Sequence, residues 1–143
     1  MIQFRPVAVI VAAVASLSAC GGAPPPSAAS AKTPDEQVSI GAQIFASKCA
    51  GCHGEKGEGS SAPKLVGAGA LPAQPASGSS RTAQFSTAQD VFTFIRANMP
   101  PGDKGSLADD QYYAVLAFAL KQNGVALQAK LDAGTAPGIS LQR

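Results

Sequence analysis

Two thiols and an imidazole stand together in Cys49-Ala50-Gly51-Cys52-His53. Thiols three positions apart lie on one side of about one helical turn. There each can form a thioether with one of the two vinyl groups of a porphyrin, and the next residue falls under the metal. A neutral imidazole at that place is a good iron ligand. C-x-x-C-H is the attachment sequence of c-type haem, and His53 is the sole histidine in the chain, so no other imidazole competes for the iron.

Other chemistries could use the same residues. A thioredoxin-like redox pair at Cys49 and Cys52 expects a βαβ setting, whereas the flanking pattern is helical and Gly-rich. A zinc site needs a fourth ligand, and beyond Cys49, Cys52 and His53 the domain offers only scattered carboxylates.

Met99 is the candidate for the opposite axial position. Once an N-terminal signal is removed it is the one methionine left, and Met/His is a known ligand pair in cytochromes c. Filling a core gap is the commoner work of methionine, but Met99 stands between a helix end and Pro100-Pro101, a constrained loop. A thioether there would raise the potential relative to two imidazoles and fill the sixth site, which separates an electron carrier from a haem enzyme or gas sensor.

Helices must position these groups. Thr33-Pro34-Asp35-Glu36 has an N-cap, a proline at the first helical position and a capping-box glutamate. From there Val38, Gly41, Ala42, Phe45 and Cys49 recur at helical spacing, with Gly41 leaving room for another backbone. A second helix is expected to start at Thr87-Ala88-Gln89-Asp90, carry Val91, Phe94 and Ile95 inward, and stop before Met99. A third, capped at Ser106-Leu107-Ala108-Asp109, carries Tyr112, Val115, Leu116, Ala119 and Leu120 until Asn123-Gly124. The stretches 55–61 and 71–81 read as loops with little to pack, and 125–143 as a tail in which Leu127 and Leu131 give a turn and Ile139 and Leu141 dock.

Composition fits one small, loop-rich domain: 143 residues, 45% hydrophobic, 15 Gly, 11 Pro and no Trp. A formal charge of +2 without any dense Lys/Arg run argues against nucleic acid as a partner. Residues 1–19 have a basic start, an apolar run and small residues before Cys20, the layout of a secretory signal. Leu17-Ser18-Ala19-Cys20 resembles the lipobox of bacterial lipoproteins, which implies a lipidated Cys20 and a membrane-anchored protein on the periplasmic side of the envelope. Residues 20–34, poor in large apolar side chains, read as a Pro/Ala/Ser-rich tether of about 40 Å at full polyproline extension. The domain itself is expected over 35–143.

From Pro34 to Gly124 the chain resembles the class I c-type cytochromes. The matching segments, in order, are Gly41 to Phe45 before the C-x-x-C-H sequence, Pro63-Lys64-Leu65 after it, Met99-Pro100, and the closing helix from Leu107 to Leu120. The resemblance implies an all-α fold of three to five helices around one covalent haem c, with no enzymatic activity of its own. It also implies that the Pro63 carbonyl accepts the second ring N–H of His53, and that Gly41 and Phe45 pack near Tyr113 and Phe118. The run Met99 to Tyr113 is similar to cytochrome subunits served by periplasmic dehydrogenases, including quinoprotein and sulfite- or sulfur-oxidising enzymes. Electrons are accordingly expected from such a donor and toward an oxidase or another cytochrome.

Overall fold

The computed structural model describes residues 24–77, 79 and 81–141. The expected signal sequence and Cys20 lie outside the described residues.

Helix α1 (Pro34–Lys48) begins with the capping box read from sequence: the Thr33 hydroxyl accepts the Glu36 N–H at 3.2 Å, and the Glu36 carboxylate accepts the Thr33 N–H. Its fully buried residues are Gln37, Gly41, Ile44 and Phe45, while Val38, Ala42 and Cys49 are only half-buried. The stripe is thus rotated from the expected one. Gln37 joins the buried face because its amide exchanges two 2.8 Å hydrogen bonds with the backbone of Leu131 and so leaves no polar group unpaired.

A one-turn helix α2 (Ala50–His53) follows, then α3 (Ala88–Asn98) and α4 (Asp109–Gln122). No strand occurs among the described residues; a single antiparallel bridge joins Thr87 to Ser140. Helix α3 starts at Thr87 as expected, where Asp90 accepts the N–H groups of Ser86 and Thr87 and the Thr87 hydroxyl. Ser106 does not cap α4. Its N-cap is Ala108, which has no side-chain acceptor, and the Gln111 side chain instead reaches back to the Ala108 N–H at 2.9 Å.

Helix α4 is buried from Gln111 through Ala117 and again at Ala119 and Leu120, the mark of an element packed on several sides. Helix α1 crosses it so closely that a Cβ on Gly41 would stand 1.9 Å from the Ala114 carbonyl oxygen. One turn on, the Phe45 and Phe118 rings meet at 5.1 Å between centroids. On another side the Phe92 ring of α3 stacks on Tyr113 at 3.9 Å, nearly parallel.

The tail docks as expected, and two segments expected to pack little are docked as well. In the tail, Leu131 and Ala136 are buried, a 3-10 turn spans Ala136–Gly138, and Ile139 and Leu141 flank the bridge to Ser86 and Ala88. In the tether, Ala28 and Ala31 are buried, and the Gln111 amide donates to the carbonyls of Pro25 and Pro26. Small side chains let this strand of backbone lie flat, and α4 supplies the donor that prolines lack. In the 71–85 segment the Arg81 guanidinium donates to the carbonyls of Pro72, Ala73, Gln74 and Ala83 and lies 4.0 Å over the Phe85 ring. Phe85 is buried and meets Phe94 edge-on at 5.5 Å.

Candidate functional site

Cys49 sits at the junction of two helices. Its N–H bonds to the Phe45 carbonyl, continuing α1, and its own carbonyl accepts from His53 at 3.0 Å, opening α2. Cys49, Cys52 and His53 thereby share one rigid turn. Both thiols are free; Cys52 is exposed and Cys49 half-buried. Burial, with the neighbouring Cys52 adding to it, pushes the Cys49 thiol up to about 11. The thioredoxin-like reading fails on fold, since no βαβ unit surrounds the pair among the described residues. Among the described residues no three His, Cys, Asp or Glu side chains converge as a metal group, which leaves the zinc reading without a ligand set.

The loop after α2 folds back over it. The Gly59 N–H donates to the His53 carbonyl at 2.7 Å, the Ala62 N–H to Cys52 at 2.9 Å, and the Leu65 and Val66 N–H groups to Gly57. Gly57 must be glycine twice over: its φ is +79°, and a Cβ there would meet Val66 at 2.8 Å. Folded this way, the loop brings the Pro63 carbonyl 2.7 Å from His53 Nδ1. A carbonyl can only accept, so Nδ1 carries a proton, and in the neutral ring Nε2 then keeps its lone pair, the tautomer a metal requires.

Met99 is the C-cap of α3, with its N–H on the Ile95 carbonyl at 2.8 Å, its side chain half-buried, and a cis peptide bond to Pro100. No hydrogen bond among the described residues ties Met99 directly to the C-x-x-C-H turn. Helix α4 joins the two halves. Near its start the Tyr112 hydroxyl donates to the Met99 carbonyl at 2.7 Å, and at its end the Asn123 amide donates to Leu65 while its oxygen accepts the Gly67 N–H. Sequence reasoning found neither contact, placing Tyr112 on the apolar stripe of the helix and Asn123 at its stop.

A cleft of about 810 Å³ is lined by residues 67–73, the end of α4 and Leu141. None of Cys49, Cys52, His53, Pro63 or Met99 lines it, so the cleft and the reactive groups are separate features.

The donor set fits a covalently held haem. Two free thiols at attachment spacing, an imidazole with Nε2 available and a thioether are the groups that tetrapyrrole iron takes. Half-buried Leu65, Phe94 and Ile95 at the core margin are apolar side chains suited to a porphyrin face.

No curated protein matches the chain. Among solved structures it is similar to a chain in the crystal structure of the sulfane dehydrogenase SoxCD from Paracoccus pantotrophus, with 28% sequence identity and a TM-score of 0.56. The match covers 73% of this chain and 52% of that one, so this protein corresponds to about half the length of the solved chain. The cytochrome c family model matches residues 38–122, more than half of the sequence, from the second turn of α1 to the end of α4. With the all-α architecture and the attachment turn in place, this chain belongs to the cytochrome c family as a class I c-type cytochrome, a carrier of electrons on covalently bound haem.

Proposed function

We propose that the protein carries single electrons on one haem in the bacterial envelope, from a periplasmic dehydrogenase toward a terminal oxidase or another cytochrome. The observation that carries this reading is the 2.7 Å contact between His53 Nδ1 and the Pro63 carbonyl, which orients the imidazole and leaves Nε2 for iron. When bound, the haem supplies one-electron chemistry between ferric and ferrous iron.

The chain's own residues do the rest. Cys49 and Cys52 would hold the macrocycle through two thioethers, each thiol adding across one vinyl group. His53 would bind the iron, made more electron-rich by the Pro63 carbonyl. Met99 would supply the second protein ligand, raising the potential and closing the iron to exogenous ligands. Half-buried Leu65, Phe94 and Ile95 would help keep water from the ring. Nothing in the transfer makes or breaks a bond to substrate, so these groups need only hold their places while one electron arrives and leaves.

Similarity to a sulfane dehydrogenase chain supports an enzyme of sulfur oxidation as the donor. A lipidated Cys20 would keep the carrier at the membrane surface. Intact-mass measurement of the mature protein checks that anchor, and an unmodified Cys20 overturns it.

Optical spectra of protein matured with its attachment machinery test the ligand reading. Wild type should show a reduced c-type spectrum and, when ferric, the weak long-wavelength band of sulfur ligation. Met99→Ala should lose that band, lower the potential and admit carbon monoxide to the ferrous iron. If wild type lacks the band and binds carbon monoxide, the open-site enzyme or sensor replaces the carrier; if it holds no covalent haem, the whole reading falls.

A further inference from the structure

We propose that Tyr112 is the positioning residue for the sixth iron ligand, its hydroxyl fixing the backbone from which the Met99 sulfur is presented. This rests on the reading of Met99 as that ligand. The Met99 carbonyl belongs to a segment short of donors. The next two residues, Pro100 and Pro101, have no N–H, and the first loop bond beyond them, from the Asp103 N–H, goes to the Pro100 carbonyl. The Tyr112 hydroxyl fills the gap at 2.7 Å.

Both sides of the Met99 backbone are therefore held by different helices. Its N–H is fixed to α3 through Ile95, and its carbonyl to α4 through Tyr112. The Tyr112 ring is 2% exposed, so its hydroxyl is aimed by packing and has little freedom to turn to solvent. An ion pair between Arg96 of α3 and Asp109 of α4 spans the same joint but is exposed at both ends, and such pairs are weak. The buried phenol is the stronger strut.

The neighbouring tyrosine supplies the control. Tyr113 is equally a buried ring on α4, yet its hydroxyl donates to the Gln89 side chain, in the first turn of α3, at 3.1 Å and does not touch Met99. Each Tyr→Phe change removes one hydroxyl and keeps the ring.

The test uses the matured holoprotein as wild type, Tyr112→Phe and Tyr113→Phe, with the ferric sulfur band titrated by added imidazole and the denaturant midpoint measured on each. In Tyr112→Phe imidazole should displace the sulfur at roughly tenfold lower concentration, the worth of one hydrogen bond, with Tyr113→Phe unchanged from wild type. Equal displacement in all three overturns the proposal. So does an equal shift in both variants that follows their denaturant midpoints, or failure of Tyr112→Phe alone to take up haem, since either marks a general structural role. A wild type without the sulfur band defeats the Met99 ligation reading itself and removes the basis of the proposal, an outcome visible before either variant is made.

Discussion

Arg81 meets four carbonyls of its own segment and the face of Phe85. A guanidinium offers five N–H donors in a planar fork, which is why one side chain can gather carbonyls from residues 72–74 and 83 at once. Lysine has three donors on a point charge and cannot match that geometry. Arg81→Ala should therefore free the 71–85 segment, raising its cleavage rate in limited proteolysis. The global cost should be about 1–3 kcal/mol by denaturant titration, modest because the site is partly exposed. Arg81→Lys should recover only part of the protection. Nothing in the Ser, Gly, Pro and Ala content of this stretch signals the arrangement, because the partners of Arg81 are backbone oxygens, and every residue has one. Gln37 and Tyr112 escaped sequence reading for the same reason. By contrast Cys49, Cys52 and His53 were legible because their chemistry depends on side-chain type at fixed spacing.

Among the elements, helix starts were readable where side chains make them. Thr33 with Glu36, and Thr87 with Asp90, satisfy backbone donors within four residues of chain. The start of α4 was misread because Gln111 does the capping from inside the helix. The α1–α4 crossing was foreseen at Gly41, and the structure gives it a magnitude. An alanine methyl 1.9 Å from the Ala114 carbonyl cannot be met by a rotamer change, since the obstacle is backbone. Gly41→Ala should force the helices apart, cost about 3 kcal/mol, the upper part of the overpacking range, and loosen the Phe45–Phe118 contact one turn on. Thermal melts of the mature protein check this; an unchanged midpoint would mean that the crossing yields easily.

For the molecule as a whole, acid should be destabilising through two local turns. The Thr87 N–H, then that of Ser86 and the Thr87 hydroxyl, hold the Asp90 carboxyl below the usual carboxylate range. The Thr135 and Gly134 N–H groups, the Thr135 hydroxyl and the nearby Lys130 do the same for Asp132. A depressed folded-state pKa contributes stability above the unfolded value, about 3.9 for Asp, and that contribution is lost as pH falls through the lower folded value. Wild type should weaken on acidification below about pH 4, whereas Asp90→Asn/Asp132→Asn should start less stable at neutral pH and show a flatter acid limb in pH-dependent melts. The two turns fix the start of α3 and the tail that carries Leu131, so the global consequence follows from where they sit.

The docking of Pro25 to Ala31 against α4 changes how far the protein could roam. With a lipid on Cys20, as proposed, five residues of sequence would separate the anchor from the docked Pro25, a contour of at most about 18 Å, in place of the longer tether that composition alone suggested. Such a carrier would work as a fixture of one leaflet and not as a ferry. Electrons would cross gaps because partners drift past in the plane of the membrane, and a donor dissolved in the surrounding fluid would have to come to the surface to be served.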